Sequence, residues 1–128
     1  MNYLPSKELI SEVLEIEIVD YYINENQVRI NQLWHEDNPL NRELGLFNTS
    51  YGCKASINIY ELAYKCKEWA YRQGYVLLSG YSAYGVGLFF CSCKGWLSEN
   101  YDKQIEITNN TEPKAVFKAT QWILDNKD

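Results

Sequence analysis

The chain has 128 residues, 46% of them apolar and 23% charged, with a formal net charge of −5. That length and composition fit one globular domain and exclude a disordered chain or one needing disulfides or metals as staples. Residues 1–57 hold four Lys or Arg against nine Asp or Glu, and residues 58–128 hold eight against eight. The acidic front half argues against binding nucleic acid through that half, because phosphate binding needs clustered Lys and Arg, and it permits a partner with a basic surface, or mimicry of a nucleic acid.

The chain opens MNYLPSKELISEVLEIEIVD. No basic segment leads into an apolar one, and no apolar run approaches the ~20 residues of a membrane helix. The expectation is a protein of the reducing bacterial cytoplasm, with no membrane association and with its four cysteines as thiols.

Ser6 is the expected cap of a short first helix, with Leu9, Ile10, Val13 and Leu14 as its apolar stripe. EIEIVDYYI (15–23) and QVRINQLW (27–34) alternate with period two, placing Ile16 and Ile18 on one face of the first, and Val28, Ile30 and Trp34 on one face of the second. They predict a β-hairpin turning at 24–26. HEDNPLNRELGLFNTSYG (35–52) has no sustained period and predicts a long loop, functional or holding a turn of helix.

INIYELAYKCKEWAYRQG predicts a helix over 59–73. Asn58 and Glu61 have capping-box spacing, and Ile57 with Leu62 forms a hydrophobic staple. Ile59, Leu62, Ala63, Cys66, Trp69 and Ala70 recur at helical spacing, and Gly74 supplies the stop. YVLLSGY (75–81), VGLFFCSC (86–93) and KQIEIT (103–108) read as three strands. The middle one is apolar on both faces near its start, which suits a central strand covered on both sides at that end. GWLSENYD connects the second strand to the third. Thr111 caps a last helix that admits Pro113 in its first turn and buries Val116, Ala119, Trp122 and Ile123. The fold class expected is α+β: a single domain over 1–128, an antiparallel sheet with packed helices, in the order α-β-β-(loop)-α-β-β-β-α. An acidic helix, hairpin and loop occupy 1–57, and the α-β-β-β-α portion follows over 58–128.

Four stretches invite a chemical reading, and each has a plainer one. Cys91 and Cys93, two apart on a strand, share one face, and Cys66 lies on a helix's apolar stripe. Zinc sites use Cys-x-x-Cys turns and four ligands, so these read as buried thiols and no metal is expected. His35-Glu36-Asp37 has no nucleophile motif beside it and reads as a solvated loop. GYSAYGVG (80–87) lies between strands rather than before a helix with a Lys, so it reads as a hairpin turn. Residues 58–126 have the element order of a double-stranded-RNA-binding domain, but only Lys114 and Lys118 stand at the start of the last helix, with Glu112 beside them.

INIYELAYKCKEWAYRQGYVL and TEPKAVFKATQWILDNK together resemble small uncharacterised proteins encoded by bacterial phages and prophages, notably of AT-rich genomes. The resemblance covers the second half of the chain well and the first half loosely. It implies a phage or mobile-element accessory protein and carries no catalytic residues. Lys114 stands where a Glu would complete a capping box, a departure of about 0.5 kcal/mol.

The functional expectation is a non-enzymatic protein, with no cofactor, that binds and modulates or inhibits a host protein, as an anti-CRISPR-like anti-defence factor would. Its expected partner surface joins Glu36, Asp37 and Glu43 of the long loop to Tyr60, Tyr64 and Tyr71 on one side of the long helix. Tyr81 and Tyr84 lie at a hairpin tip. Exposed tyrosines give contact area with few rotatable bonds, and the plainer reading packs them against the front hairpin and the long loop. A binder that sequesters a nucleotide signal is the alternative, an RNA binder a weaker one, and a homodimer stays open.

Overall fold

The computed structural model of the chain describes residues 4–32, 47–48 and 54–126. Helices and antiparallel strands coexist in an α+β fold of two compact units, Ser6–Lys65 and Cys66–Asp128 together with Met1–Pro5.

In the first unit, α1 (Lys7–Leu14) begins at Ser6, whose side chain accepts the Leu9 N–H at 3.1 Å. It buries Leu9, Ile10, Val13 and Leu14, as the stripe requires. Glu15 closes the helix at φ 55°, and β1 therefore starts at Ile18, three residues later than alternation alone places it. Strands β1 (Ile18–Asn24) and β2 (Gln27–Gln32) form the expected hairpin, with Asn24 opposite Gln27 and Glu25 in the turn at φ 56°. A register irregularity between Ile18 and Asp20 interrupts β1.

Two short strands are additional to the expected elements, one inside the expected loop 35–52 and one between that loop and the next helix. Phe47–Asn48 (β3) pairs with Lys54–Asn58 (β4), and β4 pairs antiparallel with β2. The sheet order is β1-β2-β4-β3, so β2 is central, and Val28 and Ile30 are buried. Ile57, expected only to staple the next helix, sits in β4 opposite Val28 and is fully buried. The remaining positions of the expected loop, with Trp34 and Cys53, lie outside the described residues.

Helix α2 (Ile59–Arg72) begins directly after β4, and the boundary between the units falls within it. The Asn58 side chain accepts the Tyr60 N–H at 2.8 Å, and the Ile59 N–H donates to Asn26 C=O at 2.7 Å. Both bonds satisfy donors that a helix start leaves free. All six residues of the predicted stripe are buried.

In the second unit, β5 (Tyr75–Tyr81), β6 (Phe89–Gly95) and β7 (Gln104–Asn109) form an antiparallel sheet in that order. Helix α3 (Glu112–Asn126) packs on all three strands. The Thr111 hydroxyl accepts the Lys114 N–H at 3.3 Å. The covered face carries Leu77, Cys93 and Ile105 in one row and Ser79, Cys91 and Ile107 in the next. From α3 come Ala115, Val116, Phe117, Ala119 and Ile123, all fully buried. Trp122 is half-buried rather than buried and meets Tyr75 edge-on at 5.9 Å. β6 starts three residues later than expected, because Val86 is in the turn and fully exposed. The strand is also not covered on both sides at its start, as Phe89 and Phe90 are both half-exposed.

Candidate functional site

Tyr60, Tyr64 and Tyr71 are separated by four and seven residues, so they fall on one side of α2. They are 56%, 58% and 56% exposed. The buried stripe runs along the other side, so helical periodicity holds these rings out of the core. The three tyrosines of the expected partner surface therefore share an exposed helix face. Glu36, Asp37 and Glu43, its acidic half, lie outside the described residues, as does His35.

Tyr71 stands at the last turn of α2, and its ring stacks on Trp96 with centroids 4.9 Å apart and planes 20° from parallel. Trp96 is 42% exposed. Its indole N–H donates to Tyr71 C=O at 3.1 Å, and its backbone N–H donates to Gly74 C=O at 2.8 Å. The Asn100 amide donates to Gln73 C=O at 3.3 Å. A helix leaves its last carbonyls without intrahelical donors. Here the connection after β6 supplies donors to that end, and the same bonds that cap the helix fix the indole.

Two glycines make this approach close enough. Gly74 takes φ +96°, and a Cβ there would lie 2.7 Å from both Leu97 and Asn100 side-chain atoms. A Cβ at Gly95 would lie 2.6 Å from Asn100 Cβ and closer still to its carbonyl group. Gly95 N–H also donates to Lys103 C=O at 3.0 Å, and Lys103 N–H to Asn100 C=O at 2.9 Å. The turn is thus tied back on itself, with a short 3-10 segment at Ser98–Asn100. Tyr71 and Trp96 form a preorganised aromatic platform, which needs no ordering of long side chains to make contact.

The sequence pattern places Trp96 in a connection and does not show its stack with Tyr71. The available signal was an indole directly after a glycine in a polar stretch, where burial by strand periodicity does not account for it.

The cysteines have a different environment. Cys66, Cys91 and Cys93 are free thiols, at most 1% exposed. Burial pushes each thiol up to about 12, against a hydrogen bond with Thr120 at Cys66 and the Lys67 charge near Cys91, both of which pull downward. Such thiols are poor nucleophiles at neutral pH. Among the described residues no group of three or more His, Cys, Asp and Glu is placed to hold a metal ion.

An open hollow of about 550 Å³ lies on the uncovered face of the second sheet, lined by Val76, Leu78, Ser92, Lys94 and Glu106 among others. Among the described residues no aromatic side chain lines it. No helix of the described residues is long and apolar enough to cross a membrane.

No protein-family model matches the chain, and neither the curated proteins nor the solved structures contain a match.

Proposed function

We propose that the protein is a non-catalytic binder that docks on another protein through the exposed side of α2 and the Tyr71–Trp96 platform. On the resemblance of its two long helices, it serves as a phage or mobile-element accessory factor that modulates or inhibits a host protein, in the manner of an anti-defence factor. The reading rests on one observation above the rest: two large rings, half in water, are stacked, and the indole is held by hydrogen bonds from Trp96 to the Tyr71 and Gly74 carbonyls. Fixed Trp and Tyr side chains are the residue types that dominate binding energy at protein interfaces. The excess of acidic residues in the front half adds long-range attraction to a basic partner and makes association salt-sensitive.

The experiment is affinity capture from bacterial host lysate, with mass spectrometry of both proteins and small molecules. The wild-type chain and Lys118→Ala are expected to retain one protein that Tyr64→Ala and Trp96→Ala lose. Capture of a small molecule alone, or retention by all four chains, overturns the reading.

A further inference from the structure

We propose that the tip of the β5–β6 hairpin is a second contact arm, which enters an uncharged apolar cleft on the same partner protein that the α2 face binds. The proposal rests on that reading of α2 and adds a site about one strand length away from it.

The tip stands out of the fold further than any other apolar part of the described residues. Tyr81 is 82% exposed, Tyr84 94%, and Val86 fully. Residues 73–93 contain no Asp, Glu, Lys or Arg. Beside the tip, Phe89 pairs with Asn109 at the end of β7, and Asn110 follows, so the neighbouring strand end adds no charge either. Burying such a surface costs no desolvation of ions. The centres of protein interfaces are likewise rich in tyrosine and poor in charge.

The tip is held in shape by its own bonds. Ser82 N–H donates to Leu88 C=O at 2.9 Å, and the Ser82 hydroxyl accepts the Tyr84 N–H at 3.1 Å. Leu88 folds back over Gly85, where an added Cβ would lie 2.8 Å from the leucine Cδ1. At the base the Tyr81 and Phe89 rings meet with centroids 4.9 Å apart. A loop ordered before contact loses little entropy on binding.

Shape, charge and area select the occupant. Side chains that project this far cannot enclose a small molecule, which needs walls, so the tip must itself be enclosed. An anionic bilayer attracts clustered Lys and Arg, and this chain has a net charge of −5 with no Lys or Arg in residues 73–93. What fits is a cleft of apolar side chains with an acceptor for the Tyr84 hydroxyl. Two tyrosines and a valine offer roughly 500 Å², short of the roughly 800 Å² per partner in a standard interface. The tip therefore acts with a second surface. β5 begins directly after Gly74, whose carbonyl accepts the Trp96 N–H, and its seven residues end at Tyr81. At ~3.3 Å per residue the platform and the tip are roughly 20 Å apart, within the ~30 Å breadth of an interface of that area.

The test is photo-cross-linking in bacterial host lysate, with p-benzoylphenylalanine placed at Tyr84, at Tyr64 or, as the control, at Lys118 of the full chain. The probes at Tyr84 and Tyr64 are expected to mark the same protein, and the probe at Lys118 none. Titration of that protein against Tyr84→Ser/Val86→Ser should then show Kd raised at least ~10-fold. The factor should be the same at ~0.05 and ~0.3 M salt, because an uncharged contact is not screened. Both side chains are almost wholly in water, so the variant should keep the wild-type urea midpoint. A mark from Tyr64 with none from Tyr84 overturns the proposal and leaves the α2 reading standing. A mark from Tyr84 with none from Tyr64 overturns the α2 reading and, with it, the shared partner, and no mark at either position overturns both. Different proteins at the two positions, a folded double variant that binds within twofold of wild type, a factor that changes with salt, or Tyr84-dependent sedimentation with phosphatidylcholine vesicles each overturns the proposal.

Discussion

Replacing Gly95 by Ala should damage the aromatic platform without touching either of its rings. The added Cβ would lie 2.6 Å from Asn100 Cβ and closer to the Asn100 carbonyl group, inside the 3.0 Å below which something must move. Most of the atoms met are backbone, so no side-chain rotation relieves the overlap. The connection has to shift, and three hydrogen bonds depend on its position: Gly95 N–H to Lys103, Lys103 N–H to Asn100, and the Asn100 amide to Gln73. At ~1 kcal/mol per bond, plus ~1 kcal/mol or more for overpacking, the loss is about 3–5 kcal/mol. Gly87→Ala is the control. It has φ +77° with nothing among the described residues within 4 Å of the new Cβ, so the left-handed backbone is penalised, by ~1 kcal/mol. Urea unfolding of both variants measures the difference, and near-ultraviolet circular dichroism reports the Tyr71–Trp96 stack. A Gly95→Ala protein within 1 kcal/mol of wild type and with its aromatic signal intact would refute the argument.

Three further outcomes follow from burial and backbone geometry. Ile123→Ala and Leu62→Ala remove fully buried side chains and should each cost about 2–4 kcal/mol in denaturant melts. The three thiols stay neutral in the folded chain up to about 12, while an unfolded thiol ionises near 8.5. The unfolded state therefore holds fewer protons between those values, so their contribution to stability is intact at pH 7–8 and falls as pH rises through 9–11. Urea midpoints against pH measure the fall, and Cys66→Ala should flatten it. Glu25 sits at φ 56° in the β1–β2 turn, so Glu25→Gly should stabilise by about 0.5–1 kcal/mol through relief of left-handed strain, read from thermal or urea melts.

The sequence is most legible where local chemistry and period agree. α2 has a cap, a six-residue apolar stripe and a terminal glycine, and each is found where its physics places it. The hairpin is legible for the same reason, although Glu25 rather than a glycine takes the left-handed position. β4 is not legible, because Ser56 and Ile57 between a loop and a helix cap satisfy the staple pattern equally well. Only pairing with β2, about thirty residues earlier, makes KASIN a strand, and long-range pairing leaves no local mark. Val86 misleads in the opposite way, since a branched apolar residue beside Leu88 imitates the start of a strand, yet it belongs to the turn. At the candidate site the exposure of the three tyrosines is legible from helical spacing. The stack with Trp96 is not, because it depends on where the β6–β7 connection crosses the end of α2.

The central claim is that the tyrosine side of α2 and its platform form the partner surface. The most direct test is calorimetric titration of the captured host protein against wild type and against Tyr60→Ala/Tyr64→Ala. Both rings are more than half exposed, so the variant should keep the wild-type unfolding midpoint. Loss of two interface tyrosines at ~1 kcal/mol or more each should raise Kd by ~30-fold or more. A folded variant that binds within twofold of wild type would contradict the claim.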